Sequence, residues 1–288
     1  MVKSLKAKRV RAWTAARWLV ATLVCVFAAG AWAGPKLYIM DCGTIVPMQA
    51  ELFSLTEQER SGDGAMVSPC YLVVHPRGTL LWDVGQVPDD TIADDGSIAT
   101  ASDILQATRR LRTQLATIGY SAADIDYLAM SHYHSDHTAN ANEYAGATWI
   151  VQEAEYDAMF ADQVAGIQTR ETYEKLRHAK RLILPGADHD VFGDGSVVIK
   201  FGPGHTPGHQ MLFLQLDNFG PLLLCGDLYH YPEERTLDRV PTFDADAAQT
   251  RRTRQHVELF LKQTGAEMWI QHDPATNAGL KQAPAFYD

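Results

Sequence analysis

The segment that most constrains this chain is a histidine-rich run at residues 131–137, which reads Ser-His-Tyr-His-Ser-Asp-His. It follows the strand-like run DYLAM directly, so it begins where a strand is expected to end. His132 and His134 are two residues apart, and in extended chain such side chains point to the same side. The turn that follows can aim Asp136 and His137 at a neighbouring point. One loop therefore offers ligands to two adjacent metal sites, because imidazole and carboxylate are groups that bind zinc and related metals.

Three later segments place further ligand candidates at the ends of strand-like runs. Residues 203–209 read Pro-Gly-His-Thr-Pro-Gly-His and carry His205 and His209. Asp227 follows an apolar run in Cys-Gly-Asp, and His272 follows the last strand-like run in Ile-Gln-His-Asp. Each of these residues alone would be a weak signal, but their order after the histidine-rich loop indicates one composite metal centre. Four other histidines are expected at the surface or in loops: His75, His178, His189 and His256.

Strand-like runs occur in blocks, and helical stretches lie between the blocks. The predicted strands are Lys36–Asp41, Cys70–His75, Thr79–Asp83, Tyr127–Met130, Thr148–Gln152, Val197–Phe201, Met211–Leu216, Leu222–Cys225 and Glu267–Gln271. The predicted helices are Ser102–Ile118, about Ala154–Phe160, about Thr169–Lys180, and Asp246–Lys262. Ser102 or Asp103 can cap the first helix, and Asp244 or Asp246 the last. This pattern suits sheets that pack face to face and are covered by helices.

The motifs SHYHSDH, PGHTPGH, CGD and IQHD, in this order, resemble those of the metallo-β-lactamase superfamily. The resemblance covers nearly all of residues 34–288 and implies one α/β domain, a four-layer αββα sandwich with two divalent metal ions at its edge. Zinc is the expected metal, and iron, cobalt or manganese are alternatives. The ligands that the resemblance implies are His132, His134 and His205 for one metal, Asp136, His137 and His272 for the other, and Asp227 as the bridge between them.

Two further residues receive supporting roles from the same resemblance. His209 would be structural, since the first histidine of PGHTPGH is the ligand in this motif. Asp83 ends the run LLWD and would accept a hydrogen bond from the outer ring nitrogen of a ligand histidine. From the residues alone, a plain turn aspartate at position 83 is equally compatible with the sequence.

Asp227 narrows the reaction, because true metallo-β-lactamases generally lack a bridging carboxylate whereas lactonases, glyoxalase II-like thioesterases and organophosphate hydrolases of this fold have one. The stretches YLVVHPRGTLLWDVG, HTPGHQMLFLQL and GDLYHYPEERTLDRVPTFDADAAQTR resemble the N-acyl-homoserine lactonase family. The implied function is the opening of lactone rings, as in quorum quenching, by attack of a metal-bridging hydroxide. Asp136 would pass a proton to the leaving oxygen. The alternative is hydrolysis of other esters, organophosphates or β-lactams.

The lactonase family often has a tyrosine three residues after the bridging aspartate. In this chain Tyr229 stands two residues after Asp227 and His230 stands three residues after it. Either side chain can donate to developing negative charge, or both can pack at the rim of the site. The candidate catalytic residues are therefore Asp136, Tyr229 and His230.

Residues 1–33 are expected to form a signal peptide. Basic residues up to Arg17 precede the apolar run WLVATLVCVFAA, and Ala31-Trp32-Ala33 offers a cleavage pattern. The run is short for a membrane span, although a retained anchor helix is the alternative. Cleavage leaves 19 of the 25 basic residues against all 35 acidic ones, a formal charge of −16.

This charge disfavours nucleic-acid binding, because the net field would repel phosphate. The expected partner is a small neutral lactone or ester. The enzyme is expected to be periplasmic or secreted, without a stable membrane anchor, and the resemblance admits a homodimer. Cys42 and Cys70 can pair in an oxidising compartment or remain buried thiols, and Cys225 in the run LLLC is expected in the core.

Overall fold

The computed structural model of the protein describes residues 34–162 and 168–288. The expected signal peptide at residues 1–33 lies outside the described residues. Within the described ranges, no helix is both long enough and apolar enough to cross a membrane.

Two β-sheets form the centre of the fold. The first eight strands are β1 (Lys36–Ile45), β2 (Met66–His75), β3 (Gly78–Trp82), β4 (Ala99–Thr100), β5 (Leu105–Ala107), β6 (Tyr127–Ala129), β7 (Thr148–Gln152) and β8 (Arg181–Leu184). They form one sheet in the order β4-β5-β1-β2-β3-β6-β7-β8. Strands β1, β2 and β3 pair antiparallel, whereas β3, β6, β7 and β8 run parallel.

The second sheet contains five strands from the C-terminal half. They are β9 (His189–Asp190), β10 (Val197–Phe201), β11 (Gln210–Leu216), β12 (Gly220–Leu224) and β13 (Glu267–Trp269), in the order β13-β12-β11-β10-β9. Strand β14 (Phe286–Tyr287) returns to the first sheet and pairs with the N-terminal half of β1.

Alternate apolar side chains fill the space between the two sheets. Leu37 and Ile39 of β1 share one buried cluster with Leu212 and Leu214 of β11, and every one of these side chains is fully buried. Because side chains alternate across a strand, this spacing directs one face of each sheet to the shared core.

Helices cover the outer faces of both sheets. The α-helices of the described residues are α1 (Leu111–Thr117), α2 (Ser135–Thr138), α3 (Glu153–Phe160), α4 (Pro232–Thr236), α5 (Ala247–Thr264) and α6 (Pro274–Ala278). Leu115 of α1 and Met159 of α3 pack in the cluster on the first sheet, and Val257 of α5 packs in the cluster on the second. The αββα sandwich expected from the motifs is confirmed.

The helix predicted at Ser102–Ile118 is wrong in its first half. Residues 105–107 form β5 instead, because Leu105 and Gln106 pair with the end of β1. The helix begins only at Leu111, whose backbone N–H donates 2.9 Å to Oδ1 of Asp89. A distant carboxylate therefore caps α1, where Ser102 or Asp103 was expected to do so.

Two other expectations also need correction. The helix predicted at Thr169–Lys180 is a pair of 3₁₀ turns, Arg170–Thr172 and Glu174–His178. His75 is buried rather than exposed, since it stacks on Phe192 with ring centroids 4.2 Å apart.

Cys42 and Cys70 form a disulfide that links β1 to β2, with Cα atoms 5.8 Å apart. Of the two alternatives that the sequence left open, the structure has the paired form. Cys225 is a buried free thiol directly after β12, as expected.

Candidate metal centre

The ligand candidates lie in the segments that follow β6, β10, β12 and β13, and these segments meet at one edge of the sandwich. His132 and His134 lie between β6 and α2, and Asp136 and His137 lie within α2. The backbone of His134 is still extended, so the chain turns only after the two histidines have reached the same side.

Three histidines and one aspartate converge on a first point. His132 Nε2, His134 Nδ1 and His205 Nε2 lie between 2.8 and 3.2 Å from one another. Asp227 Oδ2 lies 3.6 Å from His132 Nε2 and 3.5 Å from His205 Nε2. Such a set of nitrogen and oxygen atoms is one that a divalent metal ion accepts.

A second group shares the same aspartate. Asp227 Oδ1 lies 3.3 Å from His137 Nε2 and 3.0 Å from His272 Nε2. Asp136 Oδ2 lies 3.3 Å from His137 Nε2 and 3.5 Å from His272 Nε2. The two oxygens of Asp227 thus face different groups, so this carboxylate connects them, and the structure brings together all seven residues that the motifs singled out.

The second group also contains orphaned polar atoms. His137 Nε2, His272 Nε2 and Asp227 Oδ1 are buried, and none of them has a hydrogen-bond partner among the described residues. Buried polar atoms are almost always paired. The residues therefore fit a bound cation, and a donor set of imidazole and carboxylate suits zinc and its neighbours.

Most of the ligand histidines contact an acceptor through the ring nitrogen that faces away from the cluster, here called the outer nitrogen. His137 Nδ1 lies 3.1 Å from Asp83 Oδ2, and His205 Nδ1 lies 2.9 Å from Asp244 Oδ1. His272 Nδ1 lies 2.7 Å from the carbonyl oxygen of Val67. Such outer partners fix the ring and the tautomer of a metal ligand. Asp83 thus has the geometry of the orienting acceptor rather than of a plain turn residue.

His209 lies beside the cluster but has no free nitrogen to offer. Its Nδ1 lies 2.9 Å from the carbonyl oxygen of Gly202, and its Nε2 accepts a hydrogen bond of 3.0 Å from the backbone N–H of Asp227. A Cβ at Gly226 would approach His209 Nε2 to 2.5 Å, so the chain needs glycine there. His209 therefore positions Asp227, which agrees with the structural role expected from the sequence.

A buried carboxylate that the sequence did not indicate braces the two ligand loops. Glu155 of α3 accepts hydrogen bonds of 2.8 Å from the backbone N–H groups of Tyr133 and Gly208. The hydroxyl of Thr206 donates to the same carboxylate at 2.8 Å. Glu155 thereby ties the loop of His132 and His134 to the 203–209 loop. Asp244 was likewise not recognised in the sequence as the partner of His205. Only tertiary contacts reveal the roles of Glu155 and Asp244.

The protonation states of His132 and His134 suit metal binding, whereas Asp136, Asp227 and Asp83 outweigh burial and raise the pKa of His137. Burial, reinforced by His205, lowers the pKa of His134 to about 3, and burial also lowers the pKa of His132. Neutral imidazole is the form that binds metal. Burial acts against ionisation of Asp136 and Asp227, yet both pKa values lie below the ordinary range, because His137 faces Asp136 and His272 faces Asp227.

A cavity of about 200 Å³ opens onto the two groups. On the metal-centre side it is lined by His134, Ser135, Asp136, Asp227, His230 and His272. The rest of its wall is apolar and comes from Ile45, Met48, Leu52, Met66, Ile104, Leu105 and Phe243. In the part of the chain that the structure describes, no lysine or arginine lines this cavity. It therefore suits a neutral molecule with an apolar part.

The structure separates the two candidates for a catalytic donor. His230 lines the cavity, with its Nε2 3.2 Å from Asp227 Oδ2. Tyr229 points the other way, with its hydroxyl 3.5 Å from Glu258 Oε1 and its ring 4.2 Å from the Arg254 guanidinium. The backbone of Tyr229 is extended, so neighbouring side chains leave on opposite sides. The expectation that Tyr229 acts at the site is therefore corrected.

Comparisons with known proteins agree with this fold and these motifs. A model of the metallo-beta-lactamase superfamily matches residues 63–262. The chain is similar to N-acyl homoserine lactonase AttM of Agrobacterium fabrum, with 30% identity over 262 residues that cover 88% of this chain and 98% of the relative.

Two solved structures share the fold. One is an N-acyl homoserine lactone hydrolase with the product N-hexanoyl-L-homoserine bound at the catalytic metal centre, at a TM-score of 0.73 and 24% identity, covering 88% of this chain and 99% of the other. The second is AidC, a dizinc quorum-quenching lactonase in complex with a product, at a TM-score of 0.63 and 19% identity, covering 89% of this chain and 95% of the other.

Proposed function

The chain belongs to the metallo-beta-lactamase superfamily and, within it, to the N-acyl homoserine lactonases, and we propose on this premise that it opens the lactone ring of N-acyl homoserine lactones, as in quorum quenching. The observation that carries the proposal is the position of the seven ligand candidates, in two groups joined by Asp227, at the end of an apolar cavity. Membership makes the protein a hydrolase, and the cavity supports a neutral, acylated substrate.

We propose that this centre would hold two divalent ions and that the metal is zinc. His132, His134 and His205 would bind one ion, Asp136, His137 and His272 the other, and Asp227 would contribute one oxygen to each. When bound, such a pair of ions activates water at neutral pH and polarises the oxygen of a carbonyl group. The protein holds these ligands in place through Asp83, Asp244 and the carbonyl of Val67.

Asp136 is the ligand candidate best placed to handle a proton. Its side chain is 14% exposed, whereas that of Asp227 is 4% exposed, so Asp136 is the more accessible of the two carboxylates that line the cavity. When the lactone opens, its ring oxygen leaves as an alkoxide and needs a proton. Asp136 can take a proton from the attacking water and pass it to that oxygen, which is ordinary general acid–base work.

His230 is the side chain placed to stabilise charge on the substrate. Its Nε2 faces the cavity beside Asp227. Negative charge develops on the carbonyl oxygen when water attacks the ring, and a fixed N–H donor at this position stabilises it. The acyl chain of the substrate would lie against the apolar wall, where Met48, Leu52 and Phe243 exclude water.

The location of the enzyme is part of the proposal. The basic and apolar pattern of residues 1–33 supports export, and the Cys42–Cys70 disulfide suits an oxidising compartment. Sequencing the N-terminus of protein recovered from the periplasm tests this directly. A chain that begins near Gly34 supports export, whereas an uncleaved chain in the cytoplasm contradicts it.

The reaction is tested by one purified preparation with measured metal content. N-acyl homoserine lactones, paraoxon and nitrocefin are offered in parallel, and ring opening is followed by the acid it releases. We expect about two metal ions per chain and turnover of lactones above that of the other two substrates. His132→Ala should abolish turnover, and His256→Ala, at an exposed position of α5 that does not line the cavity, should not. Turnover of paraoxon or nitrocefin without lactone opening would contradict the proposal.

A further inference from the structure

A row of buried charged groups leads from α5 to the wall of the cavity. Arg254 of α5 donates from Nη2 to Oε2 of Glu234 at 2.9 Å. Glu234 of α4 places its other oxygen, Oε1, 3.2 Å from Nδ1 of His230. His230 in turn places Nε2 3.2 Å from Asp227 Oδ2 at the cavity. The row therefore ends at the carboxylate shared by the two metal groups.

Burying these charged groups costs free energy, so their position behind His230 calls for an explanation. Glu234 is fully buried and Arg254 is 4% exposed. A buried ion pair contributes little to stability compared with apolar residues of the same size. A role in stability alone therefore does not explain why this pair lies directly behind a ring that faces the cavity.

Arg254 is itself fixed by more than its partner. Its Nε donates 2.9 Å to the carbonyl oxygen of Leu228, and its Nη1 donates to the carbonyl oxygen of Arg239. Its guanidinium also lies over the ring of Tyr229 at 4.2 Å. With all these contacts made, Arg254 holds the Glu234 carboxylate at one place relative to the backbone around His230.

The ring of His230 is held from its sides as well as from behind. Phe53 and Phe243 meet it edge to face, with ring centroids 5.1 and 5.6 Å away. His272 stacks on it at 5.8 Å. Glu234 Oε1 also accepts a hydrogen bond of 3.3 Å from the backbone N–H of His230, and the Nδ1 side of the ring faces this same oxygen. Nε2 is then the nitrogen presented to the cavity.

We propose that Glu234, held by Arg254, is a positioning residue for lactone opening, because it fixes His230 so that Nε2 meets an oxygen atom of the substrate. This inference rests on the proposed function of the site. Glu234 does not touch the substrate, and Tyr229 contributes only its ring, as packing for Arg254.

A double-mutant cycle on the zinc-loaded enzyme tests the inference. His230→Ala should lower kcat about 100-fold, as loss of a donor to a developing oxyanion does. Glu234→Gln should lower kcat about tenfold, a size typical of an outer partner of a reacting group. Added to His230→Ala, the Glu234 substitution should lower kcat no further, since its effect runs through His230.

Three controls separate positioning from folding. Glu233→Gln, one residue away on α4, should leave kcat unchanged. Metal content should be the same for Glu234→Gln and the wild type, whereas thermal stability should fall in the variant because Arg254 loses its buried partner. Glu234→Met combined with Arg254→Met removes both charges and leaves none unpaired, so it should fold even if Glu234→Gln does not. It should lose kcat to the same extent, with KM changed less than kcat.

The outcomes are distinct. The inference would be overturned if Glu234→Gln lowered kcat by the same factor in the wild type and in His230→Ala. It would also be overturned if the Glu234→Gln variant lost its metal. If the wild-type enzyme hydrolyses paraoxon but no lactone, the proposed function fails by itself, and the same cycle on paraoxon still decides whether Glu234 acts through His230.

Discussion

Asp244 Oδ1 lies 2.9 Å from His205 Nδ1, and the opposite nitrogen of the same ring faces the first metal group. Asp244 Oδ2 accepts a hydrogen bond of 2.6 Å from the hydroxyl of Thr250, the fourth residue of α5. The helix that covers the second sheet therefore fixes the orientation of a ligand candidate on the loop between β10 and β11.

Asp244→Asn should weaken metal binding about 10- to 100-fold, because the amide can no longer act as an anionic acceptor for the His205 ring. Titration of the metal-loaded protein with a competing chelator measures this change. Asp246→Asn is the matched control, since Asp246 only caps α5 through the backbone N–H of Gln249 and asparagine caps equally well. Equal metal affinity of the two variants would contradict the orienting role of Asp244.

Glu155→Gln should change how stability depends on pH. Burial raises the pKa of Glu155 from 4.5 to about 7. Between these values the folded protein keeps a proton that the unfolded chain has released, so the free energy of unfolding falls as pH rises, by up to about 1.4 kcal/mol per pH unit. Glutamine does not titrate and lacks this contribution. Between pH 4.5 and pH 7, the free energy of unfolding of the wild type should therefore fall by about 3 kcal/mol relative to that of the variant.

Urea unfolding of the two chelated proteins at a series of pH values measures this difference, and chelation keeps metal release out of the comparison. Glu153→Gln, at an exposed position of the same helix, should show no such trend. A difference between wild type and Glu155→Gln that stayed constant across the range would show that Glu155 titrates normally.

The sequence sufficed for the ligand candidates because each lies in the segment that follows a strand, where a local motif determines its position. His132, His205 and His272 could be located in this way. The residues that support these ligands could not be located from the sequence. Glu155 lies on a separate helix, and the sequence around Asp244 is equally compatible with a helix cap. Their roles depend on contacts between segments 22 to 53 positions apart. The helix predicted at Ser102–Ile118 failed for the same reason, because pairing with β1 outweighs local preference.

Tyr229→Phe should leave kcat/KM of lactone opening within about twofold of the wild type. Among the described residues the hydroxyl makes one long hydrogen bond, to Glu258, and it faces away from the cavity. The phenylalanine ring can still pack under Arg254. Steady-state kinetics with a single lactone measures the change. A tenfold loss would instead place the tyrosine hydroxyl in the reaction.

Replacing Cys42 and Cys70 together by serine should lower the free energy of unfolding by about 3–4 kcal/mol, the size expected for releasing a loop of this length. The disulfide closes a segment of 28 positions that carries Met48, Leu52 and Met66 to the cavity wall. A looser segment should therefore raise KM for acylated lactones more than it lowers kcat.

Denaturant unfolding with and without a thiol reductant measures the change in stability. The wild type and Cys225→Ser should both be destabilised by reductant, whereas the double variant should not respond. A double variant as stable as the wild type would mean that the disulfide does not restrain this loop.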